Sequence, residues 1–240
     1  MALCSILFSM DPKELAKHLD LANHHPNSTP QDIRLLCQKV IQYGFNSAFV
    51  NPFYVPLARK LLGSSGKVGT VVSFPLGQET LETKVSATRQ SASLGADELD
   101  VSLNVGRLKA GEFEESLQEM EQIVQAVKTI DPKKIVKFIL ETSYLIPDEI
   151  IKASQLVVKS GADFVKSDSG MGPHGATVEN IKIIKQTVGD KVKVKAAGGI
   201  ETYPEAIAIL TAGADRIGTS HAVEIVQNSS SKEPTTNQSE

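Results

Sequence analysis

Apolar residues recur along the chain with two different spacings. Where they lie three or four positions apart, the spacing predicts amphipathic helices, as around Ile33–Ile41 and Phe113–Val127. Between such segments lie short runs that alternate apolar and polar residues or are apolar throughout, and these runs predict strands. The eight predicted strands are His18–Ala22, Ser47–Asn51, Lys67–Phe74, Glu98–Asn104, Ile135–Thr142, Phe164–Ser169, Lys191–Gly198 and Arg216–Ser220.

Three of the predicted helices end in the same tripeptide, Gly-Ala-Asp, which leads directly into a strand. The glycines are Gly95, Gly161 and Gly213. A glycine just past a helix end commonly adopts the left-handed conformation that terminates the helix. Helix starts are marked by prolines such as Pro30 and Pro147, because proline is favoured at the first helical position. The repeated unit is therefore a helix, a glycine stop and a strand.

Eight strands that alternate with helices over about 225 residues predict an α/β fold with a single (β/α)₈ TIM barrel. The alternative is a doubly wound open sheet, which is weakened because no G-x-G-x-x-G motif follows the first strand. The barrel domain is expected to cover residues 1–226. Residues 227–240 are polar and of low complexity, so we expect a disordered tail there.

Composition excludes several classes of protein. The 25 basic and 28 acidic residues give a net charge of −3, which does not suggest a nucleic-acid binder. No apolar run approaches the roughly 20 residues of a membrane span, and the N-terminal segment lacks the basic region of a signal peptide. Two cysteines cannot form a disulfide framework, so a reducing, cytoplasmic location is expected.

Charged residues occupy one face of several predicted strands, although strands of such a barrel are expected to be mostly apolar. Glu98 and Asp100 lie on the fourth strand, Lys137 on the fifth, Lys166 on the sixth and Lys195 on the seventh. The apolar faces should meet the helices, so these charges should point toward the barrel axis, where an unpaired charge is costly. They therefore need each other, or a substrate.

Several lysines around one cavity suit a particular chemistry. Burial and a neighbouring cation both lower a lysine pKa, and a neutral lysine can form a Schiff base with a carbonyl. Lys166 and Lys195 lie at C-terminal strand ends, where the active sites of such barrels form. Asp100 could move protons there or only pair with a lysine. Lys137 and Glu141 remain open between a role in the site and a structural role.

Glycines at the ends of the last two strands predict a phosphate site. Gly198 and Gly199 follow the seventh strand, and Gly218 and Ser220 lie at the end of the eighth. The loops after these two strands are the usual phosphate site of a (β/α)₈ barrel. Glycine lets backbone N–H groups approach phosphate oxygens, and a serine adds a hydroxyl donor.

Histidines give a weaker signal. His18, His24 and His25 lie near the first strand, but no matching carboxylate or cysteine set completes a metal site. We expect these residues to be loop or helix-cap histidines, and no metal is expected. His174 is expected in a solvated loop after the sixth strand.

Eight stretches, in the same order along the chain, are similar to the motifs of one enzyme family. They are His18–Asp20, Val50–Val55, Thr70–Gly77, Gly95–Asp100, Glu141–Leu145, Gly161–Ser167, Lys195–Ile200 and Asp215–Ser220. On these stretches the chain resembles the deoxyribose-phosphate aldolases, which are Schiff-base aldolases on a (β/α)₈ barrel. The resemblance covers about residues 15–226. It implies reversible cleavage of 2-deoxy-D-ribose 5-phosphate to D-glyceraldehyde 3-phosphate and acetaldehyde, with no cofactor, in a homo-oligomer, a dimer or a tetramer.

The resemblance also implies roles for individual residues. Lys166 would form the Schiff base, and Asp100 and Lys195 would act in activation and proton relay. The substrate-binding set implied by the family is Lys137, Ser167 and Ser169. The implied phosphate-binding set is Gly170, Gly198, Gly199, Gly218 and Ser220.

Four positions depart from the family pattern. Ala22 stands where Thr is common, Phe49 where Cys is common, and His221 where Ser is common. Asp168 is an added carboxylate on the same strand face as Lys166, and close to Lys166 it would favour the charged lysine. These departures keep two alternatives open: a class I aldolase for another phosphosugar, and a non-catalytic phosphosugar-binding barrel.

Overall fold

The computed structural model describes residues 10–229, in which eight parallel strands close into one barrel in chain order. The strands are β1 (Leu19–Asn23), β2 (Ser47–Val50), β3 (Lys67–Val72), β4 (Glu98–Ser102), β5 (Ile135–Ile139), β6 (Phe164–Lys166), β7 (Lys193–Ala197) and β8 (Arg216–Thr219). The closure of the barrel is direct, because β1 pairs with β8 and Leu19 lies opposite Ile217. The predicted (β/α)₈ barrel is therefore confirmed, and the open doubly wound sheet is excluded.

Helices connect the strands and form the outer layer. Within residues 10–229 the α-helices are α1 (Pro12–Lys17), α2 (Pro30–Tyr43), α3 (Val55–Leu62), α4 (Leu81–Ser93), α5 (Val105–Ala110), α6 (Phe113–Lys128), α7 (Pro147–Lys159), α8 (Val178–Val188), α9 (Tyr203–Thr211) and α10 (Ala222–Asn228). Short 3₁₀ turns cover Pro52–Tyr54 and Thr142–Tyr144. Among these helices none has the length and apolar character needed to cross a membrane.

The start and stop signals read from the sequence have a structural basis. The side chain of Thr29 caps α2 by accepting the Asp32 N–H, while the Asp32 carboxylate accepts the Thr29 N–H at 2.7 Å. Gly95, Gly161 and Gly213 follow their helices with φ of 108°, 78° and 113°. Only glycine adopts such a conformation without strain, so these three positions end the helices as predicted.

The repeated aspartate ties strands together in pairs. Asp97, which precedes β4, accepts the backbone N–H of a β3 residue, Val68, at 2.8 Å. Asp163 does the same for Val136 of β5 at 2.8 Å. Asp215 accepts from a β7 residue at 2.9 Å. The Gly-Ala-Asp repeat therefore closes a helix and anchors the following strand to the preceding one.

The last helix extends beyond the predicted domain end at residue 226. It runs to Asn228, and the Gln227 side-chain amide donates to the hydroxyl of Tyr43 at 2.8 Å. This contact joins the C-terminal helix to α2. The rest of the expected tail, residues 230–240, lies outside the described residues, as do residues 1–9.

The two faces of the strands differ as the sequence pattern predicts. The outward faces carry fully buried apolar residues such as Leu99, Phe138 and Val194, which pack beneath the helices in one continuous core. The inward faces carry the charged residues. Gly69 of β3 makes room on the axis for the ring of Phe49, because a Cβ atom at position 69 would lie 2.3 Å from that ring. The barrel interior thus holds the rings of Phe49 and Phe164 together with a set of ion pairs.

Candidate active site

Asp100 is the centre of the ion pairs on the barrel axis. Its Oδ2 atom lies 2.9 Å from Nζ of both Lys166 and Lys195, and its Oδ1 atom lies 3.0 Å from Nζ of Lys137. Strand register produces this convergence, since Lys166 lies opposite Lys195 and Asp100 lies opposite Lys137. All four side chains are buried. The three predicted catalytic residues are therefore in direct contact.

Burial and charge shift the pKa values of this group in different directions. Burial tends to raise the pKa of Asp100, but the charges of Lys137, Lys166 and Lys195 hold that pKa well below its usual range. Burial lowers the pKa of Lys166; the Asp100 carboxylate opposes this effect and the Lys195 charge adds to it. The net result is an ionised carboxylate beside a lysine that gives up its proton more readily than usual.

A second layer of charge lies beneath this group. The Lys137 ammonium lies 2.5 Å from Glu98, and its two carboxylate partners outweigh burial and raise its pKa. Asp20 of β1 lies 2.7 Å from Lys195 and 3.2 Å from Arg216. Burial tends to raise the pKa of Asp20, but these neighbouring cations lower it.

The buried charges of the two layers balance when Lys166 is neutral. The carboxylates are Asp20, Glu98 and Asp100, and the cations apart from Lys166 are Lys137, Lys195 and Arg216. A charged Lys166 would leave one positive charge in excess in a region from which water is largely excluded. Charge balance and the lowered pKa of Lys166 therefore favour the same neutral state.

A cavity of about 240 Å³ opens above this cluster, at the C-terminal ends of the strands. Lys166 and Lys195 line it from the barrel side. The predicted substrate-binding and phosphate-binding residues that also line it are Ser169, Gly170, Gly198, Gly199, Gly218 and Ser220. The structure thus gathers both predicted lysines and the whole predicted phosphate set around one opening.

Close backbone packing explains why the rim is rich in glycine. A Cβ atom on Gly170 would lie 3.4 Å from the Cα atom of Gly198, and a Cβ atom on Gly175 would lie 2.1 Å from the Gly198 carbonyl oxygen. The loops after β6 and β7 therefore touch backbone to backbone. A Cβ atom on Gly218 would lie 3.0 Å from the Lys195 side chain. The β8 glycine gives that lysine room to reach Asp100.

Two of the predicted substrate-binding residues do not reach the cavity. Lys137 is fully buried and paired with Glu98 and Asp100, and it does not line the cavity. Ser167 is also fully buried, and its hydroxyl accepts the backbone N–H of Ala197 at 3.3 Å. Because Ser167 directly follows Lys166, the last residue of β6, its side chain points to the opposite face.

Asp168 would favour the charged form of Lys166 only if the two side chains were close, but its carboxylate is bonded to the turn after β5 instead. Its buried carboxylate accepts hydrogen bonds from the Thr142 hydroxyl at 2.8 Å and the Ser143 N–H at 3.0 Å. Within residues 10–229 the Asp168 carboxylate forms no ion pair with a lysine, and burial raises the pKa of Asp168. Glu141 likewise accepts the Ser169 N–H at 3.1 Å. Both carboxylates hold the loop after β6 in place.

Sequence reasoning did not place His24 or Phe49 in the cavity. His24 lines it, with its ring centroid 5.3 Å from that of Phe74. Phe49 also lines it and carries the Lys195 ammonium 3.5 Å from its ring centroid. The signal for His24 was present, because it follows Asp20 and Ala22 at alternate positions and therefore shares their inward face.

The remaining histidines lie in three environments: a helix cap, an exposed loop and the cavity wall. His18 ends α1 and its Nδ1 atom lies 2.9 Å from the Asp215 carbonyl oxygen, as a cap residue should. His174 is exposed in the loop after β6. His25 and His221 line the cavity. Within the described part of the chain, no group of three or more His, Cys, Asp or Glu side chains is arranged to hold a metal ion.

Fold and site together define a class of protein. A lysine with a lowered pKa, an ionised carboxylate and a second lysine meet beneath a glycine-rimmed cavity at the catalytic end of a (β/α)₈ barrel. This is the arrangement of a lyase that breaks carbon–carbon bonds through a lysine Schiff base. A family model described as DeoC/LacD family aldolase matches residues 6–227. The chain belongs to this aldolase family.

Similar proteins carry one consistent name. The deoxyribose-phosphate aldolase of Thermococcus gammatolerans is 44% identical over 223 residues, which is 92% of this chain and 98% of that protein. The enzyme of the same name from Thermoanaerobacter sp. is 45% identical over 89% of this chain and 96% of its own length. A deoxyribose phosphate aldolase from Aeropyrum pernix, described as having a unique tetrameric structure, superposes with a TM-score of 0.85 at 30% identity, covering 91% of this chain and 92% of that one.

Proposed function

We propose that this aldolase reversibly cleaves 2-deoxy-D-ribose 5-phosphate to D-glyceraldehyde 3-phosphate and acetaldehyde. The observation that carries the proposal is the contact of Lys166 and Lys195 with one Asp100 oxygen, at 2.9 Å each. The cavity above this contact is bordered by glycine loops of the kind that bind phosphate in such barrels. The names of the similar enzymes support the choice of substrate.

Lys166 is the nucleophile in this proposal. Its neutral amine adds to the C1 aldehyde of the open-chain sugar, and loss of water gives an iminium ion. Lys195, left neutral after it protonates the departing water, takes the C3 hydroxyl proton, and the C2–C3 bond breaks because its electrons flow toward the iminium nitrogen. Carbons 3 to 5 leave as glyceraldehyde 3-phosphate, and carbons 1 and 2 remain on Lys166 as an enamine.

Lys195 carries the protons, with Asp100 beside it. Lys195 lines the cavity, whereas Asp100 is fully buried behind it at 2.9 Å. We therefore assign direct contact with substrate or water to Lys195, and assign to Asp100 the task of positioning that ammonium and stabilising its charge. Protonation of the enamine at C2 and addition of water release acetaldehyde and restore the free lysine.

The glycine rim binds the phosphate. Gly198 and Gly199 have φ of 88° and 68°, a conformation that turns successive backbone N–H groups toward one side. Ser220 on the neighbouring strand end adds a hydroxyl. Phosphate would then lie at β7 and β8, while the aldehyde reaches Lys166 on β6.

A second candidate substrate class follows from one observation. Ala22 lines the cavity and offers no hydrogen-bonding side chain where the family commonly has Thr. An aldolase for a different phosphosugar would fit this change. A non-catalytic binding barrel does not fit. Binding a phosphosugar would not require a buried lysine with a lowered pKa, such as Lys166, inside a set of paired charges.

Substrate cleavage tests the proposal directly. Purified protein should release glyceraldehyde 3-phosphate and acetaldehyde in equal amounts from 2-deoxyribose 5-phosphate, and Lys166→Met should release neither. Unphosphorylated 2-deoxyribose should show a much lower kcat/KM. Higher kcat/KM on another phosphosugar would favour the second candidate. Equal kcat/KM for the phosphorylated and unphosphorylated sugars would contradict the phosphate assignment.

We also propose that the chain works in the cytoplasm as a homo-oligomer, a dimer or a tetramer. The tetramer described for the Aeropyrum pernix relative supports this assembly. Exposed apolar side chains such as Phe53, Leu76 and Ile146 support it further, because self-association would cover them. Light scattering coupled to size-exclusion chromatography should give a mass of two or four chains, and a monomer at micromolar concentration would contradict the proposal.

A further inference from the structure

The imidazole of His24 lies in the cavity wall, and the proposed chemistry does not use it. Its ring packs at 5.3 Å from the Phe74 ring, and the Lys166 ammonium lies 5.8 Å from the same ring. The Phe49 ring lies at 6.4 Å on another side. His24 is thus held by two aromatic rings on the wall that faces the nucleophilic lysine.

One nitrogen of this imidazole lacks a partner. The Nδ1 atom is buried and forms no hydrogen bond within residues 10–229. Buried polar atoms are nearly always hydrogen-bonded, so an isolated one needs an explanation. A ligand that fills the cavity can supply the missing partner, because His24 lines the cavity.

The imidazole stays neutral in this setting. Burial lowers the pKa of His24 to about 3, and the charge of Lys166 acts in the same direction. A neutral imidazole offers one N–H donor and one nitrogen acceptor. His24 also forms a side-chain hydrogen bond with Asn51, so the Nδ1 atom is the one available to a sugar hydroxyl. It also adds no cation beside Lys166, so it does not disturb the charge balance of the buried cluster.

The position of His24 indicates which part of the substrate it would contact. Strand β1 neighbours β8 in the closed barrel, with Leu21 opposite Thr219, so His24 lies next to the proposed phosphate rim. Lys166 binds C1 and the rim binds the phosphate on C5. The C3 hydroxyl faces the proton-transfer groups. The C4 hydroxyl is the remaining polar group on the section between the cleaved bond and the phosphate.

The neighbouring residue strengthens this assignment. Ala22 lines the same cavity from the same strand face, and it lacks the hydroxyl that the family commonly carries there. Without another polar side chain, the absence of that hydroxyl would leave the sugar with one hydrogen-bonding partner fewer on the β1 side. His24, two positions further along, restores a hydrogen-bonding atom on this wall.

We propose that His24 binds the C4 hydroxyl of the sugar, and that it thereby sets the preference of the enzyme for acceptor aldehydes with a hydroxyl next to the carbonyl. This specificity role rests on the proposed function. The C4 hydroxyl of the sugar becomes the hydroxyl beside the aldehyde in glyceraldehyde 3-phosphate, so the synthetic direction isolates it.

The test compares two acceptors for acetaldehyde: D-glyceraldehyde 3-phosphate, and 3-oxopropyl phosphate, which lacks that hydroxyl. The ratio of their kcat/KM values should fall about tenfold in His24→Leu, since one hydrogen bond is lost. The fall should come from glyceraldehyde 3-phosphate alone. His24→Asn, which keeps a donor and an acceptor, should retain most of the ratio, and Ala22→Thr added to His24→Leu should restore part of it.

His174→Leu is the matched control, because it removes an exposed histidine outside the cavity and should leave the ratio unchanged. His24→Ala gives the same comparison if the leucine variant does not fold. An unchanged ratio, or equal losses on both acceptors, would overturn the role of His24 while leaving the proposed function standing. A wild-type enzyme that used neither acceptor would contradict the proposed function and the His24 assignment with it.

Discussion

Lys137 and Lys166 lie on neighbouring strands of one barrel and are both buried, yet their pKa values move in opposite directions. Lys137 faces two carboxylates, Glu98 at 2.5 Å and Asp100 at 3.0 Å. Lys166 faces Asp100 alone and shares it with two other lysines. The number of carboxylates per lysine therefore decides which lysine stays charged, since burial alone would lower both pKa values.

The two lysines also differ in access. Lys166 lines the cavity, whereas Lys137 is closed off beneath it. We call Lys137 and Glu98 the lower layer, and Lys166 and Lys195 the upper layer. The lower layer keeps Asp100 in place and ionised, and the lysines of the upper layer use that carboxylate in the proposed reaction. One layer contributes to folding and the other to chemistry, although both are built from the same kinds of side chain.

The largest expected effect is on catalysis and follows from removing the nucleophile. Lys166→Met should lower kcat for sugar cleavage by more than about 10⁴-fold, as expected when a covalent step is lost. The fold should persist, because a neutral side chain of similar length preserves the charge balance of the cluster. Steady-state kinetics and a thermal melt check both points. Residual activity above about a hundredth of wild type would contradict the assignment.

The matching change in the lower layer should affect stability. Lys137→Met leaves Glu98 buried without its closest cation, so the free energy of unfolding should fall by about 3–5 kcal/mol. Urea unfolding measures this loss. Glu98→Gln added to Lys137→Met should recover part of it, because it removes the uncompensated charge. Lys191→Met, at an exposed lysine, is the control and should stay within about 0.5 kcal/mol. A small loss in Lys137→Met would break the distinction between the layers.

Removal of Lys195 should shift the pH dependence of the upper layer. The Lys195 charge lowers the pKa of Lys166, whereas the Asp100 carboxylate raises it. Lys195 also competes with Lys166 for Asp100 and so weakens the effect of that carboxylate. Lys195→Met should therefore raise the pKa of Lys166 and leave more of it protonated at pH 7. Schiff-base formation with acetaldehyde should slow by about 10²-fold at pH 7 and reach its plateau at higher pH. Lys193→Met, on the same strand but exposed, should leave the profile in place, and a downward shift in Lys195→Met would contradict this account.

The smallest effect concerns the phosphate rim. A Cβ atom on Gly199 would meet no atom within 4 Å and would occupy the cavity edge, so Gly199→Ala should raise KM for the sugar phosphate by about tenfold. Gly44→Ala is the control, because Gly44 has φ of 71° against 68° for Gly199 and is equally open, but caps α2. Both variants should lose similar stability, and only Gly199→Ala should change KM. Equal KM values would remove Gly199 from the phosphate site.

Sequence patterns were sufficient for the fold because each strand was marked by its own residues. Three helices end in Gly-Ala-Asp and several begin with a proline. The observed strands lie within the predicted ones or differ by a residue at an end. Convergence of Asp100, Lys166 and Lys195 was also predictable, because alternation along a strand states which face a side chain takes.

The structure departs from expectation where alternation is not enough. Alternation places Lys137 on the inner face but does not give its depth, which depends on the stagger between strands, with Lys137 opposite Phe164 and Lys166 opposite Lys195. Ser167 was assigned by resemblance although alternation pointed it outward. Asp168 shares the face of Lys166, yet it lies in the loop beyond β6, where local N–H and hydroxyl donors direct its carboxylate.

The central claim, that Lys166 is the neutral nucleophile of the cluster, is tested most directly by trapping its Schiff base. Acetaldehyde and the lysine amine form an imine with loss of water, and borohydride reduces that imine to a stable ethyl-lysine. Peptide mapping should find the two added carbons on Lys166 and on no other buried lysine, with a yield that falls as pH drops through the lowered pKa of Lys166. An adduct on Lys137 or Lys195, or no adduct at all, would contradict the account.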